Sequence, residues 1–392
     1  MRNLKIFTTD IEPEAENQIY DLINQPPFVD EQVRIMPDVH YSKGCVVGFT
    51  STSSGKMIPN VIGVDIGCGM LAVELGGIDI KYDKLDDYIR SEIPSGSSIT
   101  ARAAKSSAII KDLVCYEELR NLDRLTCSMG TLGGGNHFIE VDVDDDGNKY
   151  LIIHSGSRNL GLQVAHIYQD IAVTDCKTAA DAEKETAIKL MNEQKTPDRI
   201  PDLLTEISKK YSYKTKIPSD FCYLEGKHYD DYMHDMRICQ EFARLNRMAM
   251  AEKIKRFLKI YDAPYFETVH NFIDDENVVR KGAIPARKGQ KVLIPMNMRD
   301  GCLIATGLGN PDWNYSAPHG AGRILKRSEA RELFSVEEYA AQMQGIYTTS
   351  VSMSTIDESP MAYKPMDEIV RLIGDTVRIE KIIKPVYNFK AG

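Results

Sequence analysis

The placement of glycine constrains this chain more than any other feature of it. Its 27 glycines crowd into residues 36–76, 128–161 and the last third, and from Leu162 to Glu225 there is none. In the two early glycine-rich stretches, β-branched runs such as CVVGFTSTS (45–53) and YLIIHSGS (150–157) read as strands joined by tight turns. The glycine-free stretch, dominated by Ala, Lys, Glu, Leu and Ile, reads as helices interrupted near Pro197 and Pro201. One long helix is predicted from Tyr229 to about Tyr261. There Tyr232, Met236, Cys239, Ala243, Met250, Ile254 and Phe257 recur at spacings of three, four or seven. Asn246 falls on the same stripe and is expected to be a boundary residue bonded to backbone. Strand-and-turn character returns over 278–310, a helical stretch is predicted from Gly320 to about Gln344, and the C-terminus is β-like. Strands and helices are interspersed rather than regularly alternating. The expected class is α+β, with mixed sheets, flanking helices and a helix-rich insertion at about 162–225 in a single 1–392 domain.

Composition narrows the function classes. With 57 acidic against 48 basic side chains the net charge is −9, which excludes a general basic coat but leaves room for a local cationic channel. No apolar run approaches the roughly 18 residues of a membrane helix. The start, MRNLKIFTTDIEPEAENQ, turns polar before a signal-peptide core forms, so a cytoplasmic protein is expected. The eight cysteines contain no C-x-x-C pair, which argues against a disulfide framework. The P-loop and the Rossmann fingerprint are both absent, as is the K-x-D-G of lysine-nucleophile ligases.

Chemistry concentrates beside glycine. GTLGGGNHFIE carries Asn136 and His137, IIHSGSR carries His154 at a strand end, and YSAPHGAGR carries His319. Glycine lets backbone approach a ligand closely, and strand ends are where a rigid scaffold offers side chains. VIGVDIGCGM adds Asp65 and Cys68 in one turn. A metal site built from Asp65, Cys68 and some of His137, His154 and His270 follows; the donors alone suggest zinc by default and do not identify the metal.

Taken in order, these blocks resemble the RtcB family of RNA ligases, which act in tRNA splicing and RNA repair. The resemblance rests on MPDVHYSKG (36–44), GVDIGCGM (63–70), GTLGGGNHFIE (130–140), IHSGSRNLG (153–161) and SAPHGAGR (316–323), with DESPMAYK (357–364) and the terminal NFKAG. It implies an enzyme that joins RNA ends bearing a 3′-phosphate or 2′,3′-cyclic phosphate to 5′-hydroxyl ends. GTP and two Mn²⁺ ions would be its cofactors. Cys68 would bridge the ions, the first held also by His137 and His154, the second by Asp65 and His270. His319 would attack the α-phosphate of GTP and carry the guanylate. Asn136, Glu140, Tyr363 and Lys390 would hold the nucleotide, and Asp38 would orient an attacking hydroxyl or a ligand histidine. Arg158 and Lys43 would meet RNA phosphates or stand as solvated surface charge, and Arg237, Arg244 and Arg247, off the apolar stripe, would face RNA or solvent.

One block departs from the family. Where many members carry Pro-Gly-Ser-Met-Gly, this chain has Pro295-Met296-Asn297-Met298-Arg299-Asp300. The exchange removes a glycine and a hydroxyl near the nucleotide phosphates and marks a divergent branch. It also motivates an alternative, a metal-dependent cyclic phosphodiesterase that no longer ligates.

Overall fold

The computed structural model describes residues 3–193 and 217–391. Its centre is a seven-stranded sheet in the spatial order Lys291–Asn297, Gly301–Gly307, Val377–Lys390, Phe138–Val143, Lys149–Ser155, Gly69–Gly76, Tyr265–Val269. Each of its neighbouring pairs is antiparallel. The two edges curl towards each other until Leu293 N donates to Thr268 Oγ1 at 3.1 Å, so the sheet nearly closes into a barrel. A mixed five-stranded sheet, containing Val33–His40, Val47–Thr52 and Val278–Lys281, packs beside it. The α+β class expected from the interspersed elements is the one observed.

Alternation along the central strands covers both faces of the large sheet. Leu71, Val73, Ile139, Val141, Leu151 and Ile153 pack against helix Tyr82–Glu92 and the end of the long helix. Met70, Ala72, Ile152, Leu293 and Ile304 fill the other, inner face. A strand covered on both sides reads as a nearly continuous apolar run, as YLIIH does. On the inner face Phe138, Glu140 and Asp142 alternate with Ile139 and Val141, so two carboxylates point where apolar side chains would be expected.

The long helix runs Gly226–Leu258 and buries Tyr232, Met236, Cys239, Ala243, Met250 and Ile254 along the stripe read from the sequence. Arg237 is exposed and Arg244 is half-buried against Glu241, but Arg247 corrects the expectation that it faces RNA or solvent. It is fully buried, because it neutralises Glu267 at 3.1 Å and caps the carbonyls of Gly67 and Ser155. The helical stretch expected over Gly320–Gln344 is shorter, confined to Arg327–Leu333 and Val336–Gln342. Residues 319–326 stay irregular, since the chain presses against the Asp38 backbone there. In the glycine-free stretch, a helix spans Arg158–Glu193, and the expected break near Pro197 and Pro201 lies outside the described residues. No helix among the described residues is long and apolar enough to cross a membrane.

Candidate metal and nucleotide site

Strand ends and glycine turns bring five donor side chains together. Asp65 and Cys68 sit in the turn before strand Gly69–Gly76, and His137 immediately precedes strand Phe138–Val143. His154 closes strand Lys149–Ser155, and His270 links Tyr265–Val269 to Asn271–Ile273. Cys68 Sγ lies 3.5 Å from His137 Nε2 and 3.3 Å from His154 Nε2, and His137 Nε2 is 3.0 Å from Asp65 Oδ2. Two donor sets result, Cys68–His154–His270 and Asp65–Cys68–His137, each with ligand atoms within 4.8 Å of one another. Cys68 is common to both. This grouping by distance differs from the one that the resemblance implied, which joined His154 to His137 and His270 to Asp65. The reason is the sheet: His154 faces Met70 across one edge of strand Gly69–Gly76, and Val269, before His270, faces Gly69 across the other, with ring centroids 5.2 Å apart. Asp65 lies off the sheet, beside the His137 loop.

The surroundings prepare these groups for cations. His137 Nδ1 donates to Leu132 O at 2.9 Å and His154 Nδ1 to Asn136 O at 3.2 Å, so both rings turn Nε2 towards the thiol. His270 Nδ1 is buried with no hydrogen-bond partner, as a nitrogen reserved for a metal would be. Burial holds His154 and His270 well below the ordinary imidazole range, hence neutral. Burial opposes ionisation of Asp65, but its hydrogen bond to His137 and the charges of His137 and Arg158 outweigh that and hold it low. Burial, with Asp65 adjacent, pushes the Cys68 thiol up. The mixed N, O and S donors and the orphaned imidazole nitrogen fit a pair of divalent cations sharing one thiolate.

His319 stands beside this cluster, its ring centroid 4.8 Å from that of His270. Asp38 Oδ2 accepts from His319 Nδ1 at 2.7 Å and from the His319 backbone N–H at 3.1 Å. Asp38 therefore holds the His319 ring and backbone in place. With the proton held on Nδ1, Nε2 keeps its lone pair. Half-buried His40, its Nδ1 bonded to Asp38 O at 2.9 Å, is pushed down to about 4 by desolvation.

A cavity of about 560 Å³ joins these groups to the expected nucleotide contacts. Asp65, Cys68, His154, His270 and His319 line one part of it, and Asn136, Glu140, Tyr363 and Lys390 line the rest. Tyr363 Oη donates to Glu358 Oε2 at 2.7 Å and Lys390 Nζ donates to the same oxygen at 2.8 Å. Glu140 Oε2 accepts from Asn388 Nδ2 at 2.6 Å. Glu358 and Asn388 are the residues that the sequence reading passed over. Glu358 lies within the DESPMAYK block, but a carboxylate among charged neighbours gave no sign of its burial. The 295–300 loop borders the same cavity; Met296 and Met298 are buried, and Met298 Sδ accepts from Tyr339 Oη at 3.0 Å. Lys43 is exposed at the rim. Arg158 lines a second cavity that meets the first at Asp65, and bonds to Thr131 Oγ1 and Gly96 O.

Comparison with known proteins agrees with this geometry. The family described as tRNA-splicing ligase RtcB matches residues 18–391. The RNA-splicing ligase RtcB of Escherichia coli K12 is 31% identical, with 99% of this chain and 97% of the relative covered. RNA-splicing ligase RtcB1 of E. coli ATCC 25922 is 30% identical over the same shares. The tRNA-splicing ligase RtcB of Aeropyrum pernix is 26% identical, over 86% of this chain and 83% of its own length. A match across nearly the full length, on a chain that gathers these donors around one cavity, shows that this protein belongs to the RtcB family.

Proposed function

We propose that this protein is a GTP- and Mn²⁺-dependent RNA ligase. It joins RNA 3′-phosphate or 2′,3′-cyclic phosphate ends to 5′-hydroxyl ends through a guanylate carried on His319. The observation that carries the reading is the Asp38–His319 pair, set against a donor cluster of which Asp65, Cys68, His154 and His270 line the same cavity as His319. RNA-splicing activity in the names of relatives similar along the whole chain supports the substrate class.

Asp38 fixes the His319 tautomer, so Nε2 attacks the α-phosphorus of GTP as a neutral nucleophile. A P–N bond forms, the P–O bond to the β-phosphate breaks, and pyrophosphate leaves. Asp38 stabilises the positive charge that the ring acquires. An oxygen of the RNA 3′-phosphate then attacks the guanylate phosphorus and releases His319. The 5′-hydroxyl of the second RNA finally attacks the activated 3′-phosphate, loses its proton, and expels GMP. Asn136, Glu140, Tyr363 and Lys390 hold the nucleotide through these exchanges. Asp65, Cys68, His137, His154 and His270 would hold a pair of Mn²⁺ ions, which would supply positive charge to offset the reacting phosphates.

Incubation with Mn²⁺ and α-³²P-GTP tests the reading. An acid-labile label is expected on the wild type and none on His319→Ala. Asp38→Ala is expected to label about 10²–10⁴-fold more slowly. A wild type that opens cyclic phosphates but takes no label, and joins no ends, would instead support the phosphodiesterase.

A further inference from the structure

Glu140 ends in a place that electrostatics makes unusual. Asp142, two residues further along the same strand and on the same inner face, is fully buried, and neither of its oxygens meets a donor. Its carboxyl forms a buried cluster with Glu140 and Cys302, whose ligand atoms lie within 4.8 Å of one another. No lysine or arginine forms an ion pair with either acid among the described residues. Two carboxylates this close in a dry interior cannot both ionise, so the pair holds a proton. That proton supplies the hydrogen bond that Asp142 otherwise lacks.

We infer that Asp142, as the member that keeps the proton, and Asn388, through its amide N–H, are positioning residues that hold Glu140 as an ionised acceptor for a nucleobase edge rich in N–H donors. This rests on the proposed reading of the cavity as a GTP site and deepens it. A carboxylate accepting twice matches the N1–H and 2-amino group of guanine, whereas adenine offers an acceptor at N1. Asn388 contributes further, since its fully buried Oδ1 has no partner while its Nδ2 is committed to Glu140 Oε2. Selectivity for guanine therefore depends on one proton.

The charged and titratable groups around Glu140 set where that proton moves. Asp142 lies on its own strand, Cys302 on strand Gly301–Gly307, and Lys390, paired with Glu358, on strand Val377–Lys390. Across the other edge, Glu140 faces Ile152 and Asp142 faces Tyr150, whose hydroxyl is taken up by Asp144 and Lys381. Burial raises Glu140 to about 7, against the hydrogen bonds from Asp142 and Asn388, and burial beside Glu140 raises Asp142 further. Glu140 is then ionised above neutrality and neutral below it, while Asp142 stays protonated.

The test is nucleotide binding to the Mn²⁺-loaded full chain, with α,β-methylene GTP and α,β-methylene ATP as probes, because neither can transfer its nucleotide to His319. Metal effects cancel in the ratio of the two affinities. The preference for the GTP analogue should fall about tenfold from pH 8 to pH 6. Asp142→Leu, which removes the donor, should move this transition to higher pH. Asp142→Asn, which keeps a donor, should leave it near its original place, a rescue that a purely structural role does not produce. A preference that is flat with pH, or Asp142→Leu matching Asp142→Asn, overturns the inference and leaves the GTP site standing. Binding of neither analogue by a metal-loaded wild type overturns both.

Discussion

At the scale of single residues, the site depends on one missing side chain. A Cβ built on Gly156 would lie 2.0 Å from Asp65 Oδ1, a distance no pair of these atoms tolerates. Gly156→Ala must therefore swing the Asp65 carboxylate out of the Asp65–Cys68–His137 donor set. Asp65 is partly exposed, so it has somewhere to go, and the fold should survive. Mn²⁺ affinity, followed by the loss of the free-ion paramagnetic resonance signal, is expected to fall about 10–100-fold. An unchanged affinity would mean that Asp65 is not a ligand. The sequence made such positions legible because His137, His154 and His319 of the site stand close to glycine. It did not show how the donors divide. His154 and His270 meet through strand pairing across Gly69–Gly76, and no spacing along the chain carries that information. Asp38 was singled out from its block, but its partner, 281 residues away, was not readable.

At the scale of an element, the helix Gly226–Leu258 is the rod that holds three site-bearing loops in register. Asn246 Oδ1 accepts from the N–H groups of Gly130 and Thr131, and its Nδ2 donates to Ser155 Oγ and Gly156 O. All four bonding positions are used, between loops that lead to His137 and His154. Asn246→Ala orphans two buried N–H groups, so it should cost about 3 kcal/mol in urea unfolding. Arg244→Ala, half-buried on the same helix, should stay within about 0.5 kcal/mol. Equal effects would show that the bonds to the loops contribute nothing. Periodicity revealed the helix because it counts apolar side chains. It misread Arg247 for the same reason, since a buried guanidinium is accommodated only by Glu267 and two carbonyls that a stripe cannot register. Asn246 was expected to bond to backbone and does, although at full burial rather than at a boundary.

At the scale of the whole molecule, folding sets how many protons a metal must displace. The five donors come from four separate regions of the chain, and only the assembled core gives them their protonation states. Burial has already stripped His154 and His270 of charge, so neither has a proton to lose on Nε2 or Nδ1 beyond the one its neutral ring keeps. The Cys68 thiol, pushed up by burial and by Asp65, still carries its proton, and a cation binds only the thiolate. Filling the cluster should thus release about one proton, from Cys68. Calorimetric Mn²⁺ titrations at pH 7 in buffers of different ionisation enthalpy count the release directly. The sign of the pH dependence follows. Apparent affinity for the filled cluster should weaken as pH falls, by about tenfold per pH unit. The slope should not steepen below about 6.5, where ordinary histidines begin to compete for protons. Release of three protons, or a slope that triples below that pH, would show that His154 and His270 are charged before the metal arrives. In that case the buried sheet edge would not be what prepares the site.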